Sequence, residues 1–140
     1  MVEETNLQKE AAEETLQPRY PPGYWDEAGD YLRDCYILNH NHDYLEFLVQ
    51  RVWKLDKPCR VVEFGCGYGR IGLQLMLLLP AGSSFTGIDQ SAQLLERGRQ
   101  VWAGTSWAAS FHEGSVYETP FANGSFDVAF THTVLMHVPH

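Results

Sequence analysis

Basic residues are scarce in this 140-residue chain: ten Lys and Arg face 18 Asp and Glu, a formal net charge of −8. A protein that tracks nucleic-acid phosphates needs a basic face, so no nucleic-acid partner is expected, and a small molecule or another protein is. Long apolar runs are absent as well. The longest, Leu75–Leu79, falls far short of the ~20 residues that cross a bilayer, so no membrane partner is expected. The first residues, Met1–Gln17, are acidic and polar where an export signal is basic and then apolar. Cysteine is sparse: Cys35, Cys59 and Cys66 are odd in number and lack metal-ligand spacing. They read as reduced thiols, which makes the expected location cytoplasmic. No metal is expected. His40 and His42 stand two apart before a helix and read as a polar helix entry rather than a ligand pair. Asn123-Gly124-Ser125 has the form of a glycosylation acceptor, but without export it reads as a turn.

What is present suits one domain with one hydrophobic core. Residues 1–39 read as an arm and an aromatic cap segment. Residues 1–17 have helix-forming composition but a thin apolar face, so they read as a frayed arm, and Pro18, Pro21, Pro22 and Gly23 break any helix there. Tyr20, Tyr24, Trp25 and Tyr31 are equally suited to a lid and to ordinary packing. A helix is predicted from about Asp43 to Lys54, with Asn41 or Asp43 as its cap. The period then changes. Cys59–Phe64 reads as a buried strand, Arg70–Leu79 as a helix stopped by Pro80 and Gly82, and Ser84–Ile88 as a second strand closed by Asp89. Ser91 can cap a helix ending near Gly104. Trp107–His112 and Phe126–Thr131 read as third and fourth strands, and Leu135–His140 as the start of a helix or loop. Alternating strands and helices imply an α/β, Rossmann-like, doubly wound, mostly parallel sheet. Only its first four strands are accounted for, so the expectation is a truncated domain, or a compact one completed by a partner chain. The exposed fourth-strand edge favours self-association into a homo-oligomer.

The chemistry concentrates in Val61-Val62-Glu63-Phe64-Gly65-Cys66-Gly67-Tyr68-Gly69-Arg70, where a strand runs into a glycine loop that opens a helix. Glycines there let the backbone take positive φ and let a ligand approach main-chain N–H groups closely, and the helix N-terminus favours an anionic group. A dinucleotide site wants G-x-G-x-x-G. Here the third glycine falls at Gly69 and Arg70 takes the required place. Glu63 beside two phosphates would also repel them.

This loop, an acidic residue followed by G-x-G-x-G, resembles motif I of the class I S-adenosylmethionine-dependent methyltransferases. The resemblance continues in order. Asp89 ends the second strand 20 residues after Gly69, Gly114–Phe121 is similar to the segment that wraps adenine, Asn123–Phe130 to the motif IV strand, and Val134–Val138 to the helix after it. It covers residues 40–140, read as an S-adenosyl-L-methionine-binding domain incomplete at its C-terminus. The resemblance implies roles for nine residues. Glu63 would organise the loop and accept hydrogen bonds from the methionine ammonium, directly or through water. Gly65, Cys66 and Gly67 would present backbone to the methionine moiety. Asp89 would accept both ribose hydroxyls, although an Asp there also suits a plain helix cap. Gln90 would lie against adenine, Val116 N–H would bond adenine N1, and Thr131 would sit near the methyl group. Ser115 stands where the family often has Asp, so it would accept from the adenine amino group as an uncharged partner.

The resemblance thus implies methyl transfer to a small-molecule acceptor. The alternatives are a non-catalytic nucleoside-binding or interaction module and, against Glu63 and Arg70, half of a nicotinamide-binding dehydrogenase. No catalytic base is assigned. His132 and His137 fall at the ligand end of the expected sheet, where each is either a base or a structural histidine. Cys66 reads as a loop filler, since nothing pairs it with a base.

Overall fold

The computed structural model describes residues 20–21 and 23–138; the arm expected at residues 1–17 lies outside them. Two helices open the described chain, α1 (Tyr24–Glu27) and α2 (Gly29–Asn39), followed by α3 (His42–Phe47) and a π-helical turn, Leu48–Val52. Asn41, not Asp43, caps α3 by accepting the Tyr44 N–H at 3.1 Å. Then come β1 (Arg60–Phe64), α4 (Arg70–Met76), β2 (Ser84–Asp89), α5 (Ala92–Trp102), β3 (Ala108–Glu113) and β4 (Val128–Thr131), with a 3-10 turn at Leu135–His137. Ser91 caps α5 as its sequence predicts, its Oγ accepting the Leu94 N–H at 3.1 Å. The helix expected over Arg70–Leu79 stops at Met76 and finishes as turns before Pro80.

The four strands lie in the order β3-β2-β1-β4, and every pairing is parallel. Crossover helices therefore cover a face of the sheet, which explains the composition of the central strands. Val61, Val62, Phe85 and Ile88 are all 1% exposed or less. Edge strands β3 and β4 carry exposed positions throughout. Alternation assigns the faces. Val61, Glu63, Phe85 and Phe111 share the side under α4 and α5, where the Phe85 ring stacks on Trp102 with centroids 4.4 Å apart. The opposite side carries Thr86, Ser110 and Ala129, and the Thr86 and Ser110 hydroxyls bond each other at 3.1 Å in an exposed setting.

Two ion pairs fix what the core does not. Arg60 grips Asp127 with Nε and a terminal nitrogen, each at 3.0 Å, while the Arg60 N–H reaches the same carboxylate at 2.8 Å. The guanidinium bonds hold the Asp127 carboxyl down to about 2 and align the entries of β1 and β4. Arg97 of α5 reaches Asp30 of α2 at 3.5 Å and lies 4.9 Å over the Tyr68 ring, fastening the N-terminal helices to the body. No described helix is long and apolar enough to cross a membrane.

Candidate functional site

The sheet runs from β1 outward to β3, then returns past β1 to β4, so the strand order reverses between β1 and β4. Ligands of open parallel sheets bind at such a reversal, beyond the C-terminal strand ends. A cavity of about 600 Å³ lies there, within the size range of small-molecule sites. Each strand contributes to it through the loop that follows.

From β1 comes the glycine loop. Gly65 has φ 67°, and a Cβ there would lie 2.4 Å from Val134 Cγ2, so the loop needs glycine for both conformation and space. Gly69, at φ 72°, packs its Cα under Trp102 and Phe111, where a Cβ would meet Trp102 Nε1 at 2.8 Å. The loop's N–H groups are not aimed at a ligand as the sequence reading expects. Gly65 and Cys66 both donate to the Ile88 carbonyl, at 2.8 and 3.1 Å, and Gly67 donates to Asp89 Oδ2 at 2.7 Å. Gly65 and Gly67 line the cavity as bare Cα surface. Cys66 is buried behind them, its sulfur filling the space over Gly87, and burial raises its thiol pKa well above the ordinary value.

From β2 comes Asp89, whose carboxylate links two loops. Oδ2 takes the Gly67 N–H and Oδ1 takes the Ser91 N–H at 2.9 Å. Each oxygen keeps a second lone pair for a hydroxyl. Burial raises the Asp89 pKa despite these bonds. Its helix-side partner Ser91 also donates to Asp26 of α1, which brings Asp26 to the cavity wall. No local sequence signal joins residues so far apart in the chain.

Glu63 sits in mid-sheet rather than in the cavity wall. It is 3% exposed, and its Oε2 accepts the Gly72 N–H of α4 at 3.1 Å. Gly69 is the N-cap of α4 and has no side chain to satisfy the first-turn donors, so a carboxylate from β1 satisfies one of them. Burial, reinforced by the Asp89 charge, pushes the Glu63 carboxyl from 4.5 up to about 8. The folded chain thus holds this proton more tightly than the unfolded chain. Its contribution to stability is complete below 4.5 and is lost as pH rises through about 8. Glu63→Gln keeps an acceptor for Gly72 and cannot ionise. Relative to the parent, its unfolding free energy should gain about 3 kcal/mol between about pH 5 and pH 8. Urea unfolding at both pH values measures this, and a gap that does not change with pH would refute it.

Past β3, Gly114, Ser115, Val116 and Tyr117 form the wall beside Gln90. Ser115 Oγ accepts the Tyr117 N–H at 3.2 Å. Past β4, the lining residues are His132, Thr133, Val134, His137 and Val138, not Thr131, whose side chain falls on the exposed side of the strand. Thr133 holds φ 57°, a strained angle for a β-branched residue and a frequent mark of a functional loop. Desolvation at the cavity keeps His132 below the ordinary imidazole range. Above the cavity, Tyr20 and Trp25 line it, and Tyr24 stacks on Tyr20 at 4.5 Å, whereas Tyr31 is 64% exposed and takes no part.

Six of the nine residues singled out in the sequence thus meet at one cavity: Gly65, Gly67, Asp89, Gln90, Ser115 and Val116. Glu63 and Cys66 lie behind the loop, and Thr131 lies beside the cavity. The cavity residues not singled out include Asp26, Leu32, Leu94 and Val134. Of these, only Val134, just past a strand end, carried a positional signal.

Comparison with known proteins agrees with this geometry. The ubiquinone/menaquinone biosynthesis C-methyltransferase UbiE of Geotalea daltonii is 28% identical over 116 residues, which cover 81% of this chain and 45% of that protein. The chain therefore spans less than half the length of this relative. Among solved structures, YcgJ of Bacillus subtilis shares the fold with a TM-score of 0.59 at 19% identity, over 71% of this chain and 42% of that one. Geranyl diphosphate methyltransferase, solved with geranyl diphosphate and sinefungin, has a TM-score of 0.54 at 20% identity, over 64% of this chain and 33% of that one. The methyltransferase domain family matches residues 61–140, more than half of the chain and all of the sheet from Val61 of β1 to the end of β4. With that match, the G-x-G-x-G loop and the β3-β2-β1-β4 parallel sheet, this chain belongs to the class I methyltransferase family.

Proposed function

We propose that this chain binds S-adenosyl-L-methionine and transfers its methyl group to a small-molecule acceptor. One observation carries the reading: the glycine loop after β1, the Asp89 carboxylate ending β2 and the Ser115–Val116 segment after β3 share a single cavity. The residues fit a nucleoside with an amino-acid tail. Asp89 offers a lone pair on each oxygen for the two ribose hydroxyls. The bare Cα of Gly67 leaves room for the methionine part, since a Cβ there would meet nothing closer than 3.8 Å. Ser115 Oγ and the Val116 main chain, which line the cavity, would read an adenine edge, with Gln90 along its face. Glu63 acts from behind the loop, by holding the first turn of α4 in place. The sinefungin in the structural neighbour, an analogue of S-adenosylmethionine, supports the same cofactor class.

When bound, the cofactor supplies a methyl group already activated by positive sulfur. Asp89, the Ser115–Val116 segment and the space beside Gly67 would hold the cofactor at the strand ends. The protein's task is alignment and exclusion of water, for which the Tyr20 and Trp25 rings above the cavity are placed. Thermal unfolding tests the reading. A hundredfold excess of S-adenosylhomocysteine over its Kd should add about 2.7 kcal/mol and raise Tm by several degrees. A shift produced by NAD and not by S-adenosylhomocysteine would overturn it.

A further inference from the structure

We propose that Asp26 is a positioning residue for the nucleoside site: acting through the Ser91 hydroxyl, it keeps the Asp89 carboxylate open to a ligand and holds α1 as a wall of the cavity. This rests on the reading of Asp89 as the ribose acceptor. Ser91 joins the two carboxylates. Its N–H donates to Asp89 Oδ1 at 2.9 Å, its Oγ accepts the Leu94 N–H at 3.1 Å, and its hydroxyl proton goes to Asp26 Oδ1. A hydroxyl has a single proton to give. Held by Asp26, that proton is withheld from Asp89, although the Ser91 main chain already touches the same carboxylate. Asp89 thereby keeps for a ligand hydroxyl a lone pair that a Ser91 hydroxyl turned inward would occupy. Asp26 lies 65 residues away in the chain and Ser91 is 4% exposed, so the bond is made inside the fold.

The same bond seats the N-terminal helices. α1 and the start of α2 are anchored on two sides of the cavity. On the α5 side, Asp26 meets Ser91, and Asp30 meets Arg97 at 3.5 Å. Gly29 packs there too, since a Cβ on it would stand 3.0 Å from Arg97 Nη1 and 3.3 Å from Leu94 Cδ2. On the β4 side, Trp25 meets the His137 ring edge to face at 4.9 Å. Gly23, Trp25 and Asp26 line the cavity between these anchors. Gly29 and Asp30 fix where the helices sit, and Asp26 ties that seat to the carboxylate that ends β2. With the Gly29 and Asp30 contacts in place, loss of the Asp26 bond changes the site without detaching the helices.

Calorimetric titration of the whole chain with S-adenosylhomocysteine tests this, with urea unfolding of each variant to give the folded fraction. Asp26→Ala should weaken binding about tenfold, the effect of one hydrogen bond to a charged group. Asp26→Asn keeps an oxygen acceptor for Ser91 and should stay within about threefold of the parent. In a Ser91→Ala background the same Asp26→Ala change should cost less than about twofold, because the residue through which Asp26 acts is gone. If Asp26→Ala lowers the unfolding free energy and leaves the affinity of the folded chain intact, its role is structural and the proposal is overturned. An equal tenfold loss in the Ser91→Ala background overturns it as well, since Asp26 would then act on the ligand directly. So does an Asp26→Asn variant as weak as Asp26→Ala, since charge would then be the cause. The failures are distinguishable. If the parent binds the nucleoside and the variants give one of these results, the role of Asp26 is wrong and the methyl-transfer reading stands. If the parent does not bind it, that reading falls, and the role of Asp26 with it.

Discussion

Asp89→Ala should weaken S-adenosylhomocysteine binding about 100-fold, about 2.7 kcal/mol. The loss has two sources that a second variant separates. Under the proposed reading the carboxylate accepts two ribose hydroxyls, and in the structure it holds Gly67 and Ser91 by their N–H groups at 2.7 and 2.9 Å. Alanine removes both functions. Asparagine keeps one carbonyl acceptor and much of the loop geometry but loses the charge-assisted bonds, so its affinity should fall about tenfold. Calorimetric titration of the folded fraction, checked by denaturant unfolding, gives both quantities. If Asp89 were only a loop clamp, Asp89→Ala would lower stability and leave the affinity of the folded protein intact. That outcome would remove the ribose assignment.

Gly72→Ala should be the most destabilising small substitution in the body of the protein, at about 3 kcal/mol or more, although alanine is ordinarily the better helix former. The Gly72 Cα lies directly under the sheet, and a Cβ there would sit 2.1 Å from Phe85 Cε2 and 2.9 Å from Glu63 Oε2. Phe85 has nowhere to go: it is 1% exposed and stacked on Trp102 at 4.4 Å. α4 would have to lift off β1 and β2, taking the Glu63–Gly72 bond with it. Gly104→Ala is the control. Nothing lies within 4 Å of a Cβ at Gly104, so that change should be neutral or slightly stabilising. Urea unfolding of both variants is the measurement, and equal effects would contradict this account of the helix–sheet contact.

What could be read from the sequence was local. β1 is a short, mostly apolar run and β2 a short β-rich run with buried Phe85 and Ile88, each between punctuating residues, and the sequence identifies them nearly to the residue. Ser91 was identifiable as a cap because a cap is a property of four neighbouring residues. The loop residues Gly65 and Gly67 and the strand-ending Asp89 follow the same logic, since position relative to a strand end decides which atoms reach the cavity. α1 and α2 were not foreseen. Arg33 and Asp34 interrupt the apolar stripe of α2, and these helices are held in part by contacts such as Arg97 on Asp30, which no local pattern shows. The resemblance implies a place for Thr131 near the methyl group, whereas the cavity lining past β4 begins at His132. Strand alternation turns the Thr131 side chain to the exposed face, and the chain enters the cavity only at His132–Val134. Glu63 stands out by its position before the loop, but its reach to Gly72 across the strand–helix packing is tertiary, and so is the Ser91–Asp26 bond.

The central claim is that one cavity at the C-terminal ends of β1, β2, β3 and β4 holds the S-adenosyl nucleoside. Calorimetric titration of the chain with S-adenosylhomocysteine, beside NAD under identical conditions, tests it most directly. The account predicts micromolar binding of S-adenosylhomocysteine, about 8 kcal/mol, and only dilution heats from NAD. Saturable NAD binding with none for S-adenosylhomocysteine would contradict it.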